Sequence, residues 1–315
     1  MRWLVTLFLL AVWNAHAQYP TRAVRVVVPF PAGGPTDVLA RVVAQKLSTH
    51  WSQPVLVENK PGAGGSIGAD FVAKSSPDGY TLVMATSSTH SIGPVLQKLP
   101  YDAQRDFAPV VHAWSAPNAL IVSPVLGVND VRGLVALAKA KPGQLNYASS
   151  GNGTIPHLSG ELFKLLAGID VQHVPYKGTG LSIPDIARGQ VAFIFDSIIT
   201  AQQHARSGSV KLLAVSTAKR SALVPEVPTM IEAGVPGYES TTWFGLLAPA
   251  AVPREVVSRI NADVGTLVKE ADVRERFAAA GAEPIGGSPE AFAATIDAER
   301  AKWANVVQAA RIKVD

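Results

Sequence analysis

The chain contains no cysteine in its 315 residues, so no disulfide staples the fold and buried apolar cores must suffice. Beyond residue 17, no apolar run reaches the roughly 18 residues that would cross a bilayer. The basic residues are scattered, with no arginine-rich run and no aromatic ladder among them, which excludes a nucleic-acid footprint. Phosphate-binding fingerprints fail as well. No Gly-Lys-Ser/Thr ending is present, and Gly62-Ala63-Gly64-Gly65 lacks the spacing of a dinucleotide turn. A G-x-S-x-G nucleophile elbow is missing, because Ser149 and Ser150 precede their glycines. His157 and Glu161 lie four apart on one expected helix, but no third ligand of matching spacing accompanies them. No metal, nucleotide or other cofactor is expected. Tandem repeats and low-complexity tracts are absent too.

What is present begins with an address. Arg2, an apolar core over residues 4–13 and Ala15-His16-Ala17 form a secretory signal with its cleavage site. An uncleaved membrane anchor is the alternative. Cleavage before Gln18 would leave 298 residues, enough for two domains, and would place them in a bacterial periplasm. The formal charge of +4, or +3 without Arg2, suits small anionic ligands.

Strand-like and helix-like segments alternate along the mature chain, which argues an α/β architecture with mostly parallel sheets. Strands are expected over residues 24–28, 55–57, 80–85, 145–149, 171–174, 191–195 and 212–215. Helices are expected from Thr36 or Asp37, over 67–74, 156–167, 253–269 and 289–311. Two apolar runs closed by proline, residues 119–124 and 243–249, bracket a middle block with its own alternation. The expectation is two lobes joined by two crossing strands. Lobe 1 would comprise residues 18–120 and 240–315, with the C-terminal helices returning to it, and lobe 2 residues 121–239.

Pro29-Phe30-Pro31-Ala32-Gly33-Gly34-Pro35-Thr36-Asp37 joins the first strand to an amphipathic helix. A helix N-terminus offers unpaired N–H groups and a partial positive charge. Glycines there let a ligand approach the backbone. The turn is built to receive an anion such as a carboxylate without a charged side chain. Ser149-Ser150-Gly151-Asn152-Gly153-Thr154 repeats the device before a helix with Pro156 in its first turn. Leu158, Leu162, Leu165 and Leu166 would line that helix's buried face, with Gly168 as its stop. One such unit means little; two, one per lobe, describe a cleft with facing helix N-termini.

Several readings stay open on the residues alone. Thr154 either caps its helix or binds ligand. His157 packs near the turn or donates to the ligand region. Tyr176 is a cleft wall or core. Asp196, at a strand end, either faces the ligand crevice or caps the next helix, and there it would repel an anion lacking a donor to share. Trp114, Trp243 and Phe244 line a pocket end or fill the hinge core.

The stretch Pro29 to Asp37 with Ala40-Arg41, the second turn with His157-Leu158, and His173-Val174-Pro175-Tyr176-Lys177-Gly178 resemble one family in this order. Phe195-Asp196 and Val227-Pro228-Thr229 with Gly234 and Gly237 extend the likeness over essentially the whole mature chain. The family is the periplasmic solute receptors of the tripartite tricarboxylate transporter type, the Bug receptors. The resemblance implies a type II periplasmic-binding-protein fold, with two α/β lobes, two crossover strands and the ligand cleft between them. It implies that Phe30, Ala32, Gly33 and Thr36, and likewise Ser150, Gly151, Gly153 and Thr154, hold a ligand carboxylate, largely by backbone N–H groups. It places Thr86, Ser87, Ser88, Tyr176 and Asp196 near the variable end of the ligand. It further implies capture without catalysis, monomeric receptors and delivery to membrane permease subunits. Two other readings compete: an exported hydrolase using Ser149 or Ser150, and a sensing module for a membrane kinase.

Overall fold

The computed structural model describes residues 19–176 and 179–312; the expected signal at 1–17 lies outside them. Val24–Val28 forms β1, and all its residues except Arg25 are buried. The chain turns at Gly33, whose φ of 82° suits glycine, and enters α1, Pro35–Trp51. β2 (Val55–Asn59), α2 (Ser66–Ala73) and β3 (Thr81–Thr86) follow. β2 and β3 flank β1 in parallel. Residues 86–90, expected as a hydroxyl-rich strand end, instead leave the strand at Thr86 and coil into a π-helical turn over Ser88–Ile92, followed by α3 (Gly93–Leu96). Such turns carry an extra residue per coil and redirect side chains, often at functional sites.

β4, Phe107–Val122, is the first crossing strand and is longer than expected. Up to Pro117 it pairs antiparallel with β9 (Thr241–Pro249); from Asn118 it pairs with β7 (Phe193–Ser197) and β8 (Lys211–Val215). Register shifts at Pro109/Val111 and His112/Trp114 interrupt its ladder with β9, and another at Leu120/Ile121 interrupts its ladder with β8. Beyond it lie α4 (Val131–Ala140), β5 (Asn146–Ser149), α5 (Ile155–Ala167), β6 (Gln172–Pro175), α6 (Ile183–Ala187), β7 (Phe193–Ser197), α7 (Ile198–Arg206) and β8 (Lys211–Val215). After β9 come α8 (Arg254–Leu267), α9 (Ala271–Ala279), β10 (Glu283–Pro284) and α10 (Pro289–Ala309). The strand order is β2-β1-β3-β9-β4-β7-β5-β6, with β8 and β10 also on β4.

Two of the four leucines expected to face the core of α5 do not. Leu158 and Leu162 are buried, but Leu165 and Leu166 are 52% and 39% exposed, because the last turn of the helix stands clear of what its earlier turns pack on. Nor does the C-terminal region return wholly to lobe 1. Phe292 and Ile296 of α10 pack with Val27, Val83 and Trp243 of the first lobe, while Trp303 and Val306 pack with Leu120, Leu158 and Phe193 of the second. α10 is anchored in both bodies. No helix among the described residues is long and apolar enough to cross a membrane.

Candidate functional site

A cavity of about 580 Å³ opens between the lobes. The first lobe supplies Phe30 after β1, Ala63 and Gly64 from the loop before α2, Ser88 and Ile92 from the π turn, and Leu96 and Gln97 at the end of α3. The second supplies Ser150, Asn152, Gly153 and Thr154 from its turn and Ile155 and Pro156 from the start of α5. Thr242 of the crossing strand β9 forms part of the floor. Among the described residues, no charged side chain lines it. A larger groove, about 710 Å³, lies elsewhere on lobe 1 between Arg22, Asp70, Lys74 and Asp78. Its charges already pair with each other and no residue of either turn lines it, whereas the interlobe cavity draws on both turns.

The first turn is braced from behind. Gly33 donates its N–H to Asp37 Oδ2 at 2.9 Å, and Asn59 Nδ2 from β2 reaches Asp37 Oδ1 at 2.9 Å. Arg41 Nε lies 3.0 Å from Oδ2, and the Asn59 amide also bonds the Phe30 carbonyl. Burial alone would raise the Asp37 carboxyl, but the bonds from Arg41, Gly33 and Asn59 outweigh it and hold the group below its ordinary range. Thr36 is buried, whereas Ala32 and Gly33 are exposed. Of the four residues expected here, Phe30 alone lines the cavity.

The second turn meets the cavity more fully. Ser150, Gly153 and Thr154 line it, and Gly151 does not. Ser149 Oγ accepts the Gly151 N–H at 3.0 Å and meets His173 Nε2 at 2.6 Å. Gly153 donates to His157 Nδ1 at 3.0 Å, so His157 packs behind the turn rather than reaching for ligand. Thr154 occupies the N-cap position but does not cap; its hydroxyl donates to the Gly151 carbonyl at 2.7 Å. Neither α1 nor α5 has a side-chain cap, which leaves first-turn N–H groups uncapped at both turns.

The remaining expected residues divide. Ser88 lines the cavity, but Ser87 is wholly buried and accepts the Trp243 N–H at 2.9 Å, clasping β3 to β9. Thr86 is buried as well. Tyr176 packs toward α6, where its hydroxyl donates to Asp185 at 2.7 Å. Asp196 is 5% exposed and accepts the Ser197 N–H at 2.7 Å. Burial raises its carboxyl despite the bond from Ser197. Ser197, not Asp196, caps α7. Trp114, Trp243 and Phe244 are hinge core: Trp114 stacks on Phe244 at 5.2 Å, and Trp243 meets the Phe292 edge.

A serine–histidine contact does exist, between Ser149 and His173, which sequence spacing did not reveal. Ser149 is fully buried and burial lowers His173 to about 4, so the pair offers neither access nor a base near neutrality. Ser150, which reaches the cavity, has no histidine bonded to it. The residues that sequence reasoning missed are mostly apolar or amide-bearing. For Ala63 and Gly64 a signal existed, the glycine cluster before α2. Gln97 and Thr242 had none, since only the π turn and the strand pairing bring them to the cleft.

A family model described as "Tripartite tricarboxylate transporter family receptor" matches residues 39–312. Protein BugT of Bordetella pertussis is 37% identical over 292 residues, covering 92% of this chain and 90% of that protein. Among solved structures, Rpa4515 of Rhodopseudomonas palustris with adipate is 39% identical with a TM-score of 0.79, covering 94% of this chain and 99% of that one. MatC from the same organism, with bound malate, is 34% identical with a TM-score of 0.75, covering 92% and 100%. The two-lobe α/β fold of a periplasmic binding protein is shared with these neighbours, which are solute-binding proteins rather than enzymes.

Proposed function

The chain belongs to the tripartite tricarboxylate transporter receptor family, and on that premise we propose that this solute receptor works in the periplasm as a monomer. It closes its lobes on a small organic carboxylate and presents the closed form to membrane permease subunits. The observation that carries the reading is the interlobe cavity, which joins both turns and, among the described residues, has no charged side chain in its lining. Anion capture there falls to uncapped N–H groups and to the hydroxyls of Ser88, Ser150 and Thr154, which need no counter-charge. Ile92, Leu96, Ile155 and Pro156 supply an apolar wall, favouring an acid with a hydrocarbon body, as adipate has in Rpa4515. Closure by bending at β4 and β9 brings Ala32, Gly33 and Thr36 to the ligand and expels water from the bonds.

A thermal-shift screen of organic acids tests this. At least one carboxylate should raise Tm, since ligand at 100 times Kd contributes about 2.7 kcal/mol to the folded state. Stabilisation by sugars, cations or nucleotides and by no acid would overturn the reading. Mass spectrometry of the small molecule that co-purifies would identify which acid.

A further inference from the structure

The two turns share a device besides their glycines. In each, the glycine before the N-cap gives its N–H to the side chain at the third helical position, Gly33 to Asp37 at 2.9 Å and Gly153 to His157 at 3.0 Å. The acceptors differ in charge. Asp37 is a carboxylate answered by Arg41. His157 accepts through Nδ1, so that nitrogen carries no proton and the ring is neutral with its proton on Nε2. His173 lies flat against it, with centroids 3.9 Å apart and planes 11° from parallel. Through Ser149, His173 also backs the Gly151 N–H. The two rings therefore brace both glycine N–H groups of the turn, one directly and one through a hydroxyl.

The groups facing this pair leave it neutral. Glu161 and Lys164 of α5 pair with each other at 2.9 Å. Tyr147 of β5 gives its hydroxyl to Glu161 and stacks on His173 at 5.0 Å. Burial lowers both rings; Glu161 pulls His157 back up and Lys164 pushes it down, while His157 and Lys164 lower His173 further, and the net direction is down for each. Two imidazolium rings in this stack would repel each other, and a protonated His157 Nδ1 would lose the Gly153 bond.

We infer that His157, with His173 stacked behind it, is the positioning residue of the second turn, a neutral clasp that fixes the backbone of 149–153 without setting a negative charge beside the bound acid. Only that last clause rests on the carboxylate-receptor reading. The ligand-free protein tests the rest, through the exchange rate of the Gly153 amide in wild type, His157→Asn and His157→Ala. Asn Oδ1 stands close to where Nδ1 stands, so the Asn variant should keep the protection within about threefold. The Ala variant should exchange about tenfold faster, the loss of one hydrogen bond. Lowering the pH should speed Gly153 exchange, beyond its intrinsic pH dependence, in wild type and not in the Asn variant. Unchanged protection in the Ala variant, or equal loss in both variants, overturns the assignment.

Adipate titrated into the same three proteins then separates the two readings. If wild type takes up adipate, His157→Ala should weaken it by about tenfold and His157→Asn by under about threefold. Undiminished affinity in the Ala variant would sink the positioning role at the site. If wild type ignores adipate while the exchange pattern holds, the clasp stands and the carboxylate reading fails with this probe.

Discussion

The first turn is held by a carboxylate and the second by stacked rings, and the difference reaches from geometry to pH response. Asp37 gathers three partners, Gly33, Asn59 and Arg41, from its own turn, β2 and α1. One of them, Arg41, is half exposed and open to screening by salt. His157 gathers one backbone donor and an aromatic neighbour, in a network with little contact with solvent. The same helix-start chemistry can thus be braced by charge or by packing. A carboxylate brace is stronger bond for bond, but it places a negative charge beside a turn proposed to receive an acid, and so needs Arg41 to answer it.

The largest test of that contrast is Asp37→Ala. It strands the Gly33 N–H, the half-buried Asn59 amide and Arg41 at once, so it should cost about 3 kcal/mol in urea unfolding, against about 1 kcal/mol for His157→Ala. Equal losses would erase the contrast. Next comes Gly160→Ala, whose added Cβ would stand 2.1 Å from the Tyr147 ring that backs His173. It should cost about 1–3 kcal/mol through overpacking and loosen the Gly153 amide while leaving Gly33 protected; loosening at Gly33 as well would show that the turns are not separately braced.

Acid should open the turns in order. Both histidines titrate below their unfolded value near 6.5, so their contribution is complete above about pH 6.5 and is lost as pH falls toward the folded values, about 4 for His173. Asp37 is also lowered, so its contribution persists down to its unfolded value near 3.9 and is lost only below it. Gly153 should therefore lose protection as pH falls below about 6.5, before Gly33 does. His90 and His112 are depressed by burial too and lower global stability in the same range, which is why the local amides, not Tm, decide the order. The smallest effect belongs to Arg41→Gln, about 0.5 kcal/mol for a half-exposed ion pair and smaller still in high salt; a loss as large as that of Asp37→Ala would make Arg41 the true brace.

Much of this was legible in the sequence because it is local. Val24–Val28 and the apolar spacing of Leu39, Val43 and Leu47 announce a strand and a helix without tertiary help, and the two glycine turns fall where expected. What was not legible depends on the partner surface. Leu165 and Leu166 obey the helical period, yet nothing covers them. Ser87 and Ser88 are adjacent and alike, and only the π turn sends one into β9 and the other into the cleft. His157 and Asp37 share a position in their helices, but their sequences differ too much to betray a shared role.

The placement of α10 has a mechanical consequence. Two bodies joined by strands alone could hinge, shear or twist about many axes. A rod of 21 residues, about 31 Å long, with Phe292 and Ile296 sunk in one body and Trp303 and Val306 in the other, removes most of that freedom. Only motions that leave the spacing between its two moorings unchanged remain inexpensive. The path by which the jaws meet is thereby narrowed before any ligand arrives.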